Sequence, residues 1–591
     1  ATNHVSPHNT HPATTVIRNQ PHLCPAMDTL PVEHQSKDAE APLGPISSLP
    51  TDLLLQIFLA RVHDSADLHI SNGSLLKPPP ATPVILSHVC RSWRTLALDS
   101  PLLWTKIVAD IPDVPCNTSH GPNEANEALK QEDAEEKDRV RWMTVMEALI
   151  DGTKAWIARS RAAPLYVKFS FTPSNRQPPS WIKGAIEELV AVFLGAAERS
   201  EDVFCLIHLP SLEPYRFLLS RILEATPLRL PILRRIYLAF HLEDPPSPGS
   251  YTAGHPLQLT GPLFDTPSLR FLDLSPTWPT FLFDPSIINV PWSQLTTLYL
   301  DHCHQLSGEF QPNSQLSRLD TRRLLKVLRA SPNLSSLIYH SSAPWGNAPL
   351  DEESILTSEM PVFLPNLHSL SLLGSPSAPN LPSCISAPNL RELRLYEESR
   401  NLPQAALLRK KKQIIAWTNA YGHQMTLMEL GECSVLSKQE FIQCLRRLPV
   451  IEHLTIRAEG EIEVGSHRDP PPHLGAGDSH EPAVVDDEIL KLLTPRDVAD
   501  GEFLLPKLRT LCVHYYGDYP FNRETLVRFV ECRRREVENR IENVWMHAPR
   551  RWTDNEGIRA ELERRGVDLM DFQITLYPDF SNDQSFAVLI C

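Results

Sequence analysis

The chain has 591 residues and a formal net charge of −15, which argues against a nucleic-acid-binding body, since no basic face dominates. No apolar run reaches the ~18–20 residues of a transmembrane helix, and the first thirty residues carry His, Pro, Thr and Asn rather than a secretory apolar core. The eleven cysteines are scattered, odd in number and form no C-x-x-C pair, so they read as small hydrophobes in a reducing compartment. An intracellular protein of the cytoplasm or nucleus is expected, not a secreted one. The sequons at Asn72, Asn117 and Asn333 are then chance matches. The length allows about four domains, or one repeat array plus a module.

Residues 1–44 lack apolar periodicity and are expected to be disordered. The irregular spacing of His4, His8, His11, His22 and His34 fits solvated tail residues better than a metal site. The first residue is Ala, as expected of a processed chain or a fragment. Residues Ile46 to Phe58 follow, with Leu53, Leu54, Ile57 and Phe58 on one face of a predicted helix and Pro50-Thr51 at its start. Leu86, Val89, Cys90, Trp93, Leu96 and Ala97 form a second stripe, and the stretch ends in Leu103-Trp104. Two short amphipathic helices cannot bury this much apolar surface by themselves, so they require a partner.

This stretch resembles an F-box, whose pattern is approximately L-P-x-(D/E)-(L/I)-L-x-x-I-(F/L), a variable middle, V-C-(K/R)-x-W-(R/K)-x-L-A and a closing L-W. Leu49, Pro50, Asp52, Leu53, Ile57, Phe58, Val89, Cys90, Arg91, Trp93, Arg94, Leu96, Ala97, Leu103 and Trp104 all match. The resemblance implies a small all-α module over 45–107 that docks a Skp-type adaptor and through it a cullin. Leu49, Pro50, Leu53, Ile57, Phe58, Val89, Cys90, Trp93, Leu96, Leu103 and Trp104 would be the adaptor contacts. Residues 63–85 are longer than the usual connection, and their Pro, Gly and Ser content reads as an inserted loop.

Residues 108–138 are polar and acidic, and are expected to form a solvated linker. An α/β body is expected over 139–580. It opens with a helical stripe from Val145, a strand at 165–171, a helix at 181–198 and a strand at 203–209. The passage A-W-I-A-R-S-R-A-A-P-L-Y-V-K-F resembles a helix-to-strand element of large fungal F-box families.

An internal repeat then appears. The template L-x-x-L-x-L-x-x-(N/C) is approximated nine times, starting at Leu233, Leu269, Leu295, Leu334, Leu367, Leu390, Met425, Ile451 and Leu508. Seven of these starts have Pro two residues earlier, which ends the preceding helix. Helices are expected between repeats, including Arg322 to Ala330, Gln404 to Tyr421, one behind the capping box Ser437-Lys438-Gln439-Glu440, and Phe521 to Arg540, with a closing strand at 572–576. The fold class expected is α/β: a small all-α F-box followed by an irregular leucine-rich-repeat solenoid, whose insertion at 459–503 reads as a flexible loop.

No P-loop, Rossmann, nucleophile-elbow or H-E-x-x-H pattern occurs, so no catalytic residue, metal or cofactor is assigned. In His302-Cys303-His304 the cysteine occupies a buried template position, which disfavours ligation. Arg409-Lys410-Lys411-Lys412 reads as a solvated helix face rather than a nuclear signal. The function expected is substrate recognition for a Skp–cullin–F-box ubiquitin ligase, without catalysis and without nucleic-acid or membrane partners. The alternative is an interaction scaffold whose F-box feeds no ligase. Target contacts are expected at the outward residue of each L-x-L: Tyr237, Asp273, Tyr299, Ser371, Arg394, Glu429 and Thr455. The target itself is not specified by the sequence.

Overall fold

The structure is a computed structural model that describes residues 49–64, 82–114, 125–173, 179–210, 215, 217–218, 230–242, 266–276, 290–301, 321–341, 360–374, 380–396, 404–431, 433–458, 485–495, 503–515, 522–537, 540–548 and 555–578. Contacts divide the chain into two compact units, Ala1–Leu54 and Leu55–Cys591. In the first, the Leu54 N–H donates to the Pro50 carbonyl at 3.0 Å and opens helix α1 (Thr51–Asp64). Pro50 lies ahead of that helix, where its missing N–H costs nothing.

The second unit holds the rest of α1, then α2 (Thr82–Val89) and α3 (Arg91–Asp99). It continues with a mixed helix and strand body built, among the described residues, on a sheet of fourteen parallel strands. These are β1 (Lys106–Ile111), β2 (Leu165–Phe171), β3 (Ser200–Leu209), β4 (Arg235–Leu242), β5 (Phe271–Pro276), β6 (Thr297–Asp301), β7 (Ser336–Ser341), β9 (Ser369–Gly374), β11 (Glu392–Tyr396), β12 (Leu427–Gly431), β13 (His453–Ala458), β14 (Thr510–Tyr515), β15 (Asn543–Ala548) and β16 (Gln573–Pro578). They lie side by side in chain order. The short β8 (Val362–Phe363) and β10 (Ile385–Ser386) pair separately.

The nine template starts explain the spacing of β4–β7, β9 and β11–β14. Each start is at most 1 % exposed, and each strand begins two residues after it. Within a strand, alternation sends side chains to opposite faces. One register row on the buried face reads Ile107, Val167, Val203, Ile236, Leu272, Leu298, Leu337, Leu370, Leu393, Met428, Leu454, Leu511, Val544 and Ile574. All but Val203 and Ile574 are buried, and a second such row lies two residues further on. Each fully buried Leu or Ile contributes roughly 1.5–3 kcal/mol.

Helices cover this face, α4 (Ala125–Arg159), α5 (Ile182–Gly195), α6 (Thr321–Ala330), α8 (Gln404–Tyr421), α9 (Lys438–Arg446), α10 (Asp487–Leu492), α11 (Arg523–Glu536) and α12 (Asn555–Arg564), with α7 (Leu381–Cys384) as a single turn; they complete a large core and, at the β1–β2 end, a smaller cluster of Ile107, Leu165, Val167 and Ala196. The capping box forms as the sequence predicts: Ser437 Oγ accepts from the Glu440 N–H, and the Glu440 carboxylate accepts from the Ser437 N–H at 2.9 Å.

Five expectations differ from the structure. Both ends of the expected loop 63–85 are helical, since α1 reaches Asp64 and α2 starts at Thr82. The stretch 108–138 is not all linker: β1 is already the first strand of the sheet, and α4 starts at Ala125, running through Gly152 without a break. Ile111 and Val114, which look isolated in a polar stretch, are buried beneath Trp142 and Met146 of α4 in that core. The insertion 459–503 contains α10, whose N-cap Asp486 accepts from the Ile489 N–H at 2.9 Å. The basic run on α8 is not wholly solvated, since Lys410 is 3 % exposed and Lys411 pairs with Glu440 at 2.8 Å. A further unit exists at β15, where Ile541 is fully buried two residues before the strand but no Pro marks it. The tail 1–44, most of loop 63–85 and the triplet 302–304 lie outside the described residues. Among those described, no helix is long and apolar enough to cross a membrane.

Candidate functional site

The eleven residues expected to meet an adaptor divide by burial. In the first unit Leu49 is half-buried, Pro50 is exposed and Leu53 is 43 % exposed. In the second, Ile57 (53 %), Val89 (56 %) and Cys90 are exposed, while Trp93 and Leu96 are half-buried. Phe58, Leu103 and Trp104 are at most 1 % exposed. Those last three are therefore not surface contacts, and the structure assigns them to internal packing.

Their packing is specific. Phe58 meets Trp93 edge to face, with centroids 4.8 Å apart and planes at 62°, a geometry that the ring quadrupoles favour. Trp104 closes a short 3-10 turn (Pro101–Trp104). Its indole N–H donates to the Ala97 carbonyl at 2.7 Å, its ring meets Trp156 of α4 at 4.7 Å, and the Arg159 guanidinium lies 4.7 Å above it. Trp104 thus joins the end of α3 to the long helix of the body. Arg94 Nε donates to the Ser87 carbonyl at 2.9 Å and holds α3 against α2. The Ser92 hydroxyl, 3.2 Å from the Cys90 sulfur, draws that thiol below its ordinary value.

With the large rings turned inward, the exposed large apolar residues described within 46–110 are all aliphatic. Val84, Ile85, Leu98 and Leu102 are 37–50 % exposed alongside Ile57 and Val89. Sequence reading missed these four. The α2 stripe counted Leu86 with Val89, but Leu86 is buried and the exposed i, i+4 pair is Ile85–Val89. A pattern of apolar residues shows which face is apolar, not which of two apolar faces finds a core within the same chain. Exposed aliphatic residues on three successive helices and the turn after them are the kind of residues that protein-interaction surfaces present.

The second candidate surface is the other face of the sheet. Its central register row reads Val108, Lys168, Phe204, Tyr237, Asp273, Tyr299, Ile338, Ser371, Arg394, Glu429, Thr455, Cys512, Trp545 and Thr575. All seven residues expected to contact a target stand in this one row. Toward β1 the face is aromatic: Tyr166 lies 5.0 Å from Phe204, which stacks on Tyr237 at 5.4 Å. Burial first, and then Asp202, pushes the Tyr166 phenol up to about 12. Toward β13 it is charged. Glu429 sits between Arg394 Nε and Arg457 Nη2, each 3.4 Å away, and burial raises its carboxyl against the pull of both. Arg457 also donates to the Tyr396 hydroxyl at 3.1 Å and lies over that ring at 4.5 Å. The residue in register with Arg457 on the intervening β12 is Gly431, so no side chain separates them. Tyr396 and Arg457 were absent from the expected contacts, although their position two residues past the row follows from strand alternation.

Among the described residues no group of three or more His, Cys, Asp or Glu is arranged to hold a metal. Residues 46–110 match the family model of the F-box-like domain. That span takes in α1–α3, the Trp104 turn and most of β1. No curated protein matches the chain.

Proposed function

We propose that this chain is the substrate-recognition subunit of a Skp–cullin–F-box ubiquitin ligase. Its F-box-like region docks a Skp-type adaptor, and its body, read as an irregular leucine-rich solenoid, presents a target on the open face of the sheet. The observation that carries the reading is the set of exposed aliphatic residues within 46–110 that no core claims. The solenoid reading is supported by strand order equal to chain order and by the buried Leu, Ile or Met ahead of β4–β7, β9 and β11–β15. The chain supplies proximity and orientation to chemistry done by other subunits, in the cytoplasm or nucleus, without nucleic-acid or membrane contacts.

The test is co-purification with a Skp-type adaptor and a cullin. Ile57→Asp combined with Val89→Asp places two charges on exposed aliphatic positions and leaves Phe58, Trp93 and Trp104 intact. Capture of the adaptor should fall at least tenfold with an unchanged melting temperature. Undiminished capture by the double variant sinks the proposal. Adaptor capture that never brings a cullin supports instead the scaffold that feeds no ligase.

A further inference from the structure

On the sheet face away from the helices, two guanidinium groups hold donors that the fold leaves unused. Arg394 on β11 and Arg457 on β13 flank the Glu429 carboxylate of β12, each at 3.4 Å. Their side chains are 28 % and 33 % exposed, against 13 % for Glu429. A partner approaching this face therefore meets the cations before the carboxylate. Among the described residues Arg394 makes no hydrogen bond, and its contacts are the ion pairs to Glu429 and, at 3.6 Å, to Glu392. Arg457 donates through Nη2 alone, to the Tyr396 hydroxyl at 3.1 Å and to Glu429. A guanidinium carries N–H donors along both edges of its fork, so most donors on the two groups have no acceptor among the described residues.

Stability does not account for this arrangement. Arg457 Nε is buried without a hydrogen-bond partner, a state that packing alone seldom leaves. What the contacts do achieve is to hold both groups in place. Arg457 lies over the Tyr396 ring at 4.5 Å while it bonds the hydroxyl, and Arg394 is drawn between Glu429 and Glu392. Ordering such side chains in advance lowers the entropy cost of binding. The residues in register beside them are small, Ser371 next to Arg394 and Gly431 next to Arg457.

We propose that Arg394 and Arg457 form a receptor for an acidic side chain, Asp or Glu, on the target protein. The proposal rests on reading this sheet face as the target-binding face. Each guanidinium offers unused N–H donors to a carboxylate, a charge-assisted contact of fixed geometry. The two arginines exceed Glu429 by a single positive charge, which a carboxylate matches. A dianionic phosphate would be repelled more strongly by Glu429 and Glu392. At physiological salt the Debye length is about 8 Å, so the net charge of −15 spread over the chain is felt less here than the two guanidinium groups.

The test uses the full chain and four fluorescent peptides, in which Ala alternates with Glu, Gln, Lys or phosphoserine. Anisotropy titration should show binding of the Glu peptide, with the Gln and Lys peptides at least tenfold weaker and the phosphoserine peptide no tighter than Glu. Arg394→Gln and Arg457→Gln should each weaken the Glu peptide about tenfold. Arg235→Gln, at a position 59 % exposed on the same face, should leave binding unchanged and so exclude general attraction to surface arginines. Glu429→Gln removes the competing carboxylate and should tighten the Glu peptide severalfold, a gain that a damaged fold could not produce. Equal binding of the Gln peptide, a phosphoserine peptide tenfold tighter than Glu, no loss in the Arg394 and Arg457 variants, an equal loss in Arg235→Gln or weaker binding in Glu429→Gln overturns the receptor. A failed receptor with intact adaptor and cullin capture leaves the ligase reading standing, and lost capture with intact binding of the Glu peptide leaves the receptor standing.

Discussion

Arg533 and Arg534 are adjacent on α11, yet their guanidinium groups clamp opposite neighbours. Arg533 donates to the carbonyls of Leu493, Leu504 and Leu505 at 2.7–2.8 Å, on the chain that precedes β14. Arg534 donates to the carbonyls of Asp568 and Met570 at 2.6–2.9 Å, on the turn that leads into β16, and to Ile541 at 3.2 Å. Arg533 is fully buried and lies over Phe503 at 4.8 Å. Burial pushes it down to about 9, still above neutrality, and its charge is balanced by backbone dipoles, including the C-cap carbonyl of α10.

Arg533→Met should therefore cost about 3 kcal/mol or more, since three buried carbonyls lose their donor and each costs roughly 1–3 kcal/mol. Arg533→Lys should recover less than half of that, because one ammonium cannot span three acceptors in the plane that the guanidinium serves. Urea titration of the three proteins checks both statements, and an Arg533→Met variant within 1 kcal/mol of the parent would contradict them.

Trp104→Ala and Ile57→Asp should separate two roles. Trp104→Ala removes a ring that is 1 % exposed, with its Trp156 contact and its bond to Ala97, and should cost about 3–5 kcal/mol. Ile57→Asp should leave stability within about 0.5 kcal/mol while weakening adaptor capture. Parallel thermal melts and adaptor titrations would show whether the two effects are distinct.

Acid should weaken the helix layer within a defined window. Burial by itself would raise Glu440, but the Lys411 ammonium and the Ser437 N–H outweigh it and bring the carboxyl down to about 2. Bonds from Arg564 and Arg565 bring Glu561 to about 2 as well. A carboxylate whose folded pKa is depressed stabilises fully above its ordinary value near 4.5, and that contribution disappears as the pH falls from there through about 2. Glu429 works in the opposite sense, because burial raises it. The expected net result is a loss of stability below about pH 4.5 that is smaller in Glu440→Gln. Denaturant midpoints at intervals from pH 7 to pH 3 measure it, and parallel curves for the two proteins would refute it.

Two glycines should respond with opposite signs. A Cβ at Gly422 would stand 2.6 Å from the Arg447 carbonyl oxygen, so Gly422→Ala forces backbone apart and should cost about 1–3 kcal/mol. A Cβ at Gly152, within α4, meets nothing within 4 Å, so Gly152→Ala should stabilise by about 0.5–1 kcal/mol. Thermal melts of both variants decide the matter.

Much of this body could be read from periodicity. The strand at 165–171 and the helix from Gln404 to Tyr421 have the bounds that their alternation and stripe predict. Leu233 and its eight counterparts mark strand starts because a buried Leu, Ile or Met two residues before each of these nine strands is a local, repeated requirement. β1 escaped because K-I-V-A-D-I alternates for only six residues inside an acidic setting, and the core that makes its alternation meaningful comes from α4 and β2, distant in sequence. The F-box-like region was half legible. Its composition was plain, but Phe58 and Trp104 are turned inward by Trp93 and Trp156, and no spacing rule reports which aromatic ring meets another.

The fourteen-residue row on the face away from the helices has an evolutionary consequence. Each strand contributes one residue to it, while its neighbours before and after on that strand face the helix layer. Some of its members lean on the next strand, as Phe204 does on Tyr237 and Arg394 on Glu429. An exchange in the row therefore answers to the strand beside it and leaves the core residues of its own strand in place, so the two faces of the sheet can change at different rates.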